Sequence, residues 1–350
     1  MSPLSGPPVE LGEKHAELVV KFVANIRNSK PDSRNVALAT ITLLEQIISD
    51  SNSATAYELC TLVRGVGRAV GRALPQQLVA GNIVRRVLRA VRDEYRNQAD
   101  QSVEGATSSL QRLVLGAGAR RATLPRSAPE LDNLRDHIAE LRLELETSSS
   151  AISQQARQHA HTDELILTYG ASDLAERWLK QANSRRYRLI LAESSDVRGS
   201  AAMAARLSAA GVPVTLVNSA SVTGLMSRVN KVVLGVSAVL AGGAARAAAG
   251  AHAVTLAAKH YSVPVIALAP LYKLSPLHAC SQTPAAALAS PHRALSYEYA
   301  ESAVCRPYAP LHDSIPPDHI TLFITNLGGS SPSYIYRLLS ELYDPNDYEL

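Results

Sequence analysis

Apolar positions recur at helical spacing through the first part of the chain and at strand spacing through the second. Between residues 11 and about 98 the spacing is that of helix faces throughout. Val19, Phe22, Val23 and Ile26 form one apolar stripe, and Val36, Ile41, Leu44, Ile47 and Ile48 a second. Pro31-Asp32-Ser33 separates the two and offers a helix N-cap. A third stripe holds Leu59, Leu62, Val63 and Val66, with Ser53 or Thr55 as its cap. A fourth, opened by Pro75, holds Leu78, Ile83, Val84, Val87, Leu88 and Val91. Residues 99–128 lose this period and gather Gly, Ser and Pro, as a flexible insertion does. Helical spacing returns at Leu131, Leu134, Ile138, Leu141 and Leu145 and continues from Ile152 through His159.

Short apolar runs then alternate with amphipathic segments, the pattern of strand–helix units on a parallel sheet. The runs are 165–169, 187–193, 212–217, 231–237, 263–269 and 320–326. Gly211 stands where a left-handed C-cap glycine belongs. A helix is expected from about Ala247 to His260, and another over Tyr334 to Leu342. Residues 277–315, rich in Pro and Ala, are expected to form an irregular loop. The fold class is therefore α/β. A structureless start (1–10) precedes an all-helical domain (11–160), which is followed by a doubly wound parallel-sheet domain (161–350).

Composition narrows the function. The 350 residues suit two domains, and the net charge of +4 neither demands nor excludes an acidic partner. No run approaches a membrane span, and the first fifteen residues hold no apolar leader. Cys60, Cys280 and Cys305 make neither a CxxC nor a metal spacing, so reduced thiols in a cytoplasmic protein are expected. His252 and His260 have no carboxylate or thiol company; neither a metal nor a cofactor is expected. Between Asp196 and Glu298 there is no Asp or Glu, where 31 acids in 350 residues would place about nine. Open α/β sheets work at strand ends, several of which fall in this stretch. It lacks the commonest general bases and hard-metal ligands. The domain is expected to bind rather than to catalyse.

Other motifs say less. Gly65, Gly67 and Gly71 fail the dinucleotide spacing and follow no strand, so close helix packing accounts for them better. Gly242 and Gly243 follow a strand and are expected to open a helix, where Arg246 could help the exposed amides hold an anion; a tight turn is the other reading. Two arginine rows, Arg64, Arg68 and Arg72, and Arg85, Arg89, Arg92 and Arg96, each lie along one helix face. They suit docking of an acidic partner or a solvated face. With few aromatics to stack bases, direct nucleic-acid binding is not expected.

Four runs carry a resemblance: GNIVRRVLRAVRDEY (81–95), MSRVNKVVLG (226–235), LAAKHYSVPVIALAPLYKLSP (256–276) and TLFITNLGGSSPSYIYRLLSELYDP (321–345). They resemble the beta subunits of eukaryotic translation initiation factor 2B, the guanine-nucleotide exchange factor for initiation factor 2. The likeness spans nearly the whole chain except about 100–128 and 277–305. It implies a Rossmann-like second domain. The regulatory subunits are in turn similar to sugar-phosphate isomerases. Against that pattern the catalytic Cys is matched by Gly170, the Asp by Ser237, the NGD loop by Gly242-Gly243-Ala244 and the following lysine by Ala248. The resemblance thus implies a scaffold without exchange activity of its own. It also implies partners: the alpha, gamma, delta and epsilon subunits in a heterodecamer, and the alpha subunit of initiation factor 2, whose phosphorylation the assembly senses in the integrated stress response. In SSPSYIYRLLSELY, the leucines are expected to face the core and Tyr334, Tyr336 and Tyr343 a subunit interface. The alternative is a sugar-phosphate isomerase, of methylthioribose-phosphate or ribose-bisphosphate type, using other residues.

Overall fold

The computed structural model describes residues 12–29, 31–51, 56–104, 131–278, 288–290 and 308–350. The chain divides into two compact units: Met1–Leu145 together with Leu342–Leu350, and Glu146–Glu341.

The first unit is helical. Helices α1 (Glu13–Ser29), α2 (Ser33–Asp50), α3 (Ala56–Ala73) and α4 (Leu78–Glu104) precede the start of α5 (Leu131–Gln154). The apolar stripes become its core: Val19, Phe22, Val23 and Ile26 are buried on α1, and Val36, Ile41, Leu44, Ile47 and Ile48 on α2. Asp32 caps α2, its carboxylate accepting from the Ser33 amide. Gly67 explains part of the glycine motif. A Cβ there would lie 2.7 Å from Val84 Cγ1, so the missing side chain lets α3 and α4 approach closely.

Two expectations change in this unit. Helix α4 runs to Glu104, beyond the expected break near 98; residues 105–130 of the insertion lie outside the described residues. The last nine residues, expected with the sheet, belong to the helical unit. Tyr343 and Asp347 are fully buried in that unit.

The second unit carries the remainder of α5, α6 (Ala156–His159), β1 (Leu165–Tyr169), α7 (Asp173–Ala182), β2 (Arg188–Ala192), α8 (Val197–Ala209), β3 (Val214–Val217), α9 (Val222–Met226), β4 (Lys231–Gly235), β5 (Ala238–Val239), β6 (Ala245–Ala248), α10 (Ala251–His260), β7 (Val265–Leu268), β8 (His312–Ile315), β9 (Leu322–Thr325), β10 (Gly328–Ser330) and α11 (Ile335–Leu342), whose last residue passes to the helical unit. Among the described residues a seven-stranded sheet runs β10-β9-β7-β4-β1-β2-β3, parallel except for β10. Strand order reverses between β1 and β4, the switch point of a doubly wound sheet, as expected. β3 is only half covered, as an edge strand can be.

A second sheet was not anticipated. β5, β6 and β8 form three antiparallel strands. Residues 247–248, expected in a helix, are extended together with 245–246, and that helix starts at Ala251. Residues 312–315, expected in an irregular loop, are a strand; 279–287 and 291–307 of that loop lie outside the described residues. Alanine-rich strands of four residues or fewer carry too little periodicity to separate them from helix.

Local signals end and start the helices of this unit. Ser172 caps α7 and Asp196 caps α8. Gly211, at φ +81°, stops α8 in the left-handed conformation expected of it. Glu176 is nearly buried between Lys180 and Arg206 and joins α7 to α8 through bonds of 2.6–3.0 Å. Two cations hold its carboxyl below the usual range against the opposing effect of burial. At the other end of the sheet, Lys231 donates to the Glu164 carboxylate and to the His159 carbonyl.

The only tryptophan of the chain, Trp178, is fully buried in this unit among Leu174, Leu179, Leu189 and Met203. Its fluorescence therefore reports the melting of the sheet unit. Leu179→Ala leaves a cavity beside it and is expected to destabilise that unit by about 2–5 kcal/mol. Urea unfolding followed at the tryptophan would show an earlier midpoint.

Candidate functional site

The carboxyl ends of β1 and β4 meet at the switch point, and Gly170 and Ser237 lie just beyond them. Gly170 has φ +68°, and a Cβ there would press on Ser194 at 3.0 Å. At the end of β4, a Cβ on Gly235 would fall 2.2 Å from Ser172 Oγ, so the α7 cap occupies the space above that strand. Ser237 does not face an open site. Its hydroxyl donates to the Arg246 carbonyl at 2.8 Å and its amide donates to the same oxygen at 2.7 Å. It is a fixed corner of the small sheet.

Tyr169, the last residue of β1, fills more of the crevice. Its hydroxyl donates to the Ala249 carbonyl at 2.6 Å. Gly250, at φ +97°, makes room for it, since a Cβ there would lie 1.9 Å from the hydroxyl oxygen. Burial, with the Asp313 charge nearby, raises the Tyr169 phenol.

Asp313 is the functional residue that sequence reasoning missed. It stands on β8, outside the acid-free stretch, and its Oδ2 accepts from the Gly250 amide at 2.7 Å and the His252 amide at 3.2 Å. The N-terminus of α10 therefore holds a carboxylate from its own chain. An acid inside the Pro- and Ala-rich segment gave no local signal; only β6–β8 pairing brings it there.

Of the two readings of Gly242 and Gly243 the tight turn is the one formed, and the helix they were expected to open is absent there. These glycines turn the chain between β5 and β6 and open no helix. Gly243 has φ +77°, and a Cβ there would lie 2.6 Å from the Pro332 carbonyl oxygen, so glycine serves a close backbone approach. Arg246 is buried on β6, and burial lowers its guanidinium. Beside it His312 falls from an ordinary 6.5 to about 4, through burial first and then the Arg246 charge. Lys273, also buried, donates to the Val236 carbonyl at 2.9 Å. The crevice thus holds cations and hydroxyls, while the Asp313 carboxylate caps a helix. Among the described residues no group of three or more His, Cys, Asp or Glu is placed to bind a metal.

The arginine rows divide. Arg64 and Arg92 converge on the Asp347 carboxylate, with bonds of 2.5–3.0 Å. Arg85 is buried and donates to the Asp347 and Tyr348 carbonyls. Arg96 bonds Asp344 at 3.1 Å and Asp93 at 3.2 Å, and Arg89 bonds Asp93. Arg72 is exposed and Arg68 partly so. Five of the seven expected docking residues therefore bond to the chain itself, and of these Arg64, Arg85 and Arg92 are turned onto Asp347. Tyr343 is corrected likewise: expected at an interface, it is fully buried beside Arg85 and Arg86, and burial raises its phenol. Tyr334 and Tyr336 are exposed, at 41% and 67%. Of the leucines of α11 expected in the core, Leu338 and Leu339 are buried and Leu342 is half-buried.

Architecture and crevice together define a class: chains that join a helical unit to a doubly wound sheet whose strand-end groups are tied into the fold. This chain belongs to the Initiation factor 2 subunit family, whose pattern matches residues 30–332. It is 32% identical to "Translation initiation factor eIF2B subunit beta" of Schizosaccharomyces pombe, over 94% of this chain and 96% of that protein. The protein of the same name in Dictyostelium discoideum is 33% identical, over 92% and 93%. A chain in the crystal structure of the tetrameric eIF2B-beta2-delta2 complex from C. thermophilum superposes with TM-score 0.70 at 26% identity, covering 94% of this chain and 95% of that one.

His312 makes stability depend on acid. Its depressed pKa means that the unfolded chain takes up the proton first. Stability is whole above about 6.5, falls as the pH drops towards 4, and the His312 contribution is flat below that. The loss amounts to at most about 3 kcal/mol. His312→Gln is expected to flatten this slope in urea titrations between pH 7 and 4, without a matching change above pH 7.

Proposed function

We propose that this chain is a regulatory, non-catalytic subunit of the guanine-nucleotide exchange factor for translation initiation factor 2. Its work is to assemble with the alpha, delta, gamma and epsilon subunits, and to help the complex respond to phosphorylation of the alpha subunit of initiation factor 2. The observation that carries the reading is the state of the switch-point crevice. Tyr169 is bonded to Ala249, Ser237 to Arg246, and Asp313 caps α10. Tyr169, Ser237 and Asp313, committed to structure in this way, are not poised as an acid–base pair for proton transfer. The similarity to beta subunits, one of them solved with delta, supports the choice of partners.

Exposed Tyr334 and Tyr336 supply anchors for a subunit contact, and the Arg337 guanidinium over the Tyr334 ring at 5.6 Å stiffens that face. Arg68 and Arg72, with Arg89 and Arg96, are the arginines we assign to docking of initiation factor 2. No helix among the described residues is long and apolar enough to cross a membrane, and we place the assembly in the cytoplasm.

Co-expression with the other four subunits tests this. The chain is expected to copurify with them in equal amounts, and Tyr336→Ala to weaken recovery of delta by about tenfold. Alone, it is expected to self-associate and to leave exchange on initiation factor 2 unaccelerated. Turnover of methylthioribose 1-phosphate or ribose 1,5-bisphosphate by the purified chain would instead establish the isomerase reading.

A further inference from the structure

The segment 342–350, LYDPNDYEL, lies in the helical unit with one side covered and the other exposed. Beyond the end of α11 it forms no regular element except a short 3-10 turn at Pro345–Asp347. Its covered side presents spaced anchors. Tyr343 is fully buried. The Asp344 carboxylate accepts from Arg96 and from Asn346; these bonds and the Arg92 charge hold its carboxyl below the usual range, although burial acts the other way. The Asp347 carboxylate, fully buried, accepts two bonds each from Arg64 and Arg92. Leu350 ends beside two glycines: its Cδ1 would lie 3.2 Å from a Cβ on Gly67 and 3.8 Å from one on Gly81. Pro345, Asn346 and Glu349 point outward.

The arginines and glycines that receive these anchors stand on α3 and α4, and the Glu144 charge lies near Tyr343. Those helices also pack directly on each other, Gly67 lying against Val84, and carry Val63, Val66, Val87 and Val91 buried. A receptor surface made by two self-packed helices, and a short strip held by one aromatic anchor, one aliphatic anchor and charge-assisted bonds, are the ingredients of peptide recognition rather than of a core. When such a strip leaves, the arginines return to water with their charges solvated, whereas an emptied apolar core has no such recourse.

We propose that α3 and α4 form a peptide-binding groove and that residues 342–350 are its intramolecular ligand, selected by Asp344 and Asp347 and able to leave while the helical unit stays folded. The docked segment occupies Arg64, Arg85 and Arg92. It therefore acts as a built-in competitor for any acidic peptide that approaches this face, and its release joins Arg64 to Arg68 and Arg72 as one accessible row.

The test uses the full chain and a fluorescein-labelled LYDPNDYEL peptide. Anisotropy titration is expected to show binding to the full-length double variant Asp344→Asn/Asp347→Asn, and binding weaker by about tenfold or more to the unmodified chain, where the resident segment competes. A peptide carrying both substitutions is expected to bind neither. Equal affinity for the two chains, or none for the double variant, overturns the proposal; so does a double variant that fails to fold, which would make the segment part of the core. Hydrogen exchange on the unmodified chain decides independently. The bonded amides of Asp347 and Tyr348 are expected to exchange about a hundredfold faster than those of Val87 and Val91. Equal protection at the four positions would show that the segment opens only with the whole unit and would reject the idea.

Discussion

A carboxylate taken out of water must meet a cation or a row of amide hydrogens, and both units of this chain are arranged around that requirement. In the helical unit the carboxylate is Asp347, with no exposure and two guanidiniums in reach. In the sheet unit the half-buried Asp313 accepts from the first amides of α10. Each is delivered by a late part of the chain to an element formed much earlier. Each also removes a group that would otherwise be offered to a partner: a basic row in one case, a helix N-terminus in the other.

The second consequence falls on the crevice. Doubly wound sheets bind and react at their switch points because loop residues there are free to face a ligand. Here the end of β1 sends Tyr169 to a backbone carbonyl, the end of β4 lies under Ser172, and Ser237 closes the small sheet. Buried Arg246 and Lys273 keep the region positive, and burial beside Arg246 keeps His312 neutral at ordinary pH. An architecture suited to chemistry has its polar groups engaged in holding itself together. Tyr334 and Tyr336, by contrast, are left exposed.

Much of this was legible beforehand. The helix stripes, the strand runs, Asp32 as a cap and Gly211 as a stop are local signals, and each depends on residues a few positions apart. Gly170 and Ser237, at positions where chemistry would be expected, already marked the crevice. The failures were also physical. Residues 245–248 and 312–315 are strands because they pair with each other, across 60-odd residues of chain, and not because of any periodicity they carry. Gly242 and Gly243 looked like a phosphate loop because a glycine pair has the same local freedom in a hairpin turn as before a helix.

The sequence by itself determined the two classes of element, their order and the acid-free stretch that covers several strand ends, since these are properties of composition and short-range period. Tertiary structure alone decided which charges would be spent internally. Arg64 and Asp347 lie 283 positions apart, and nothing within a helical turn of either residue indicates the other. A row of arginines looks the same in sequence whether it faces water, a partner or the chain's own end. Burial on folding distinguishes them, because only a desolvated guanidinium requires a fixed counter-charge.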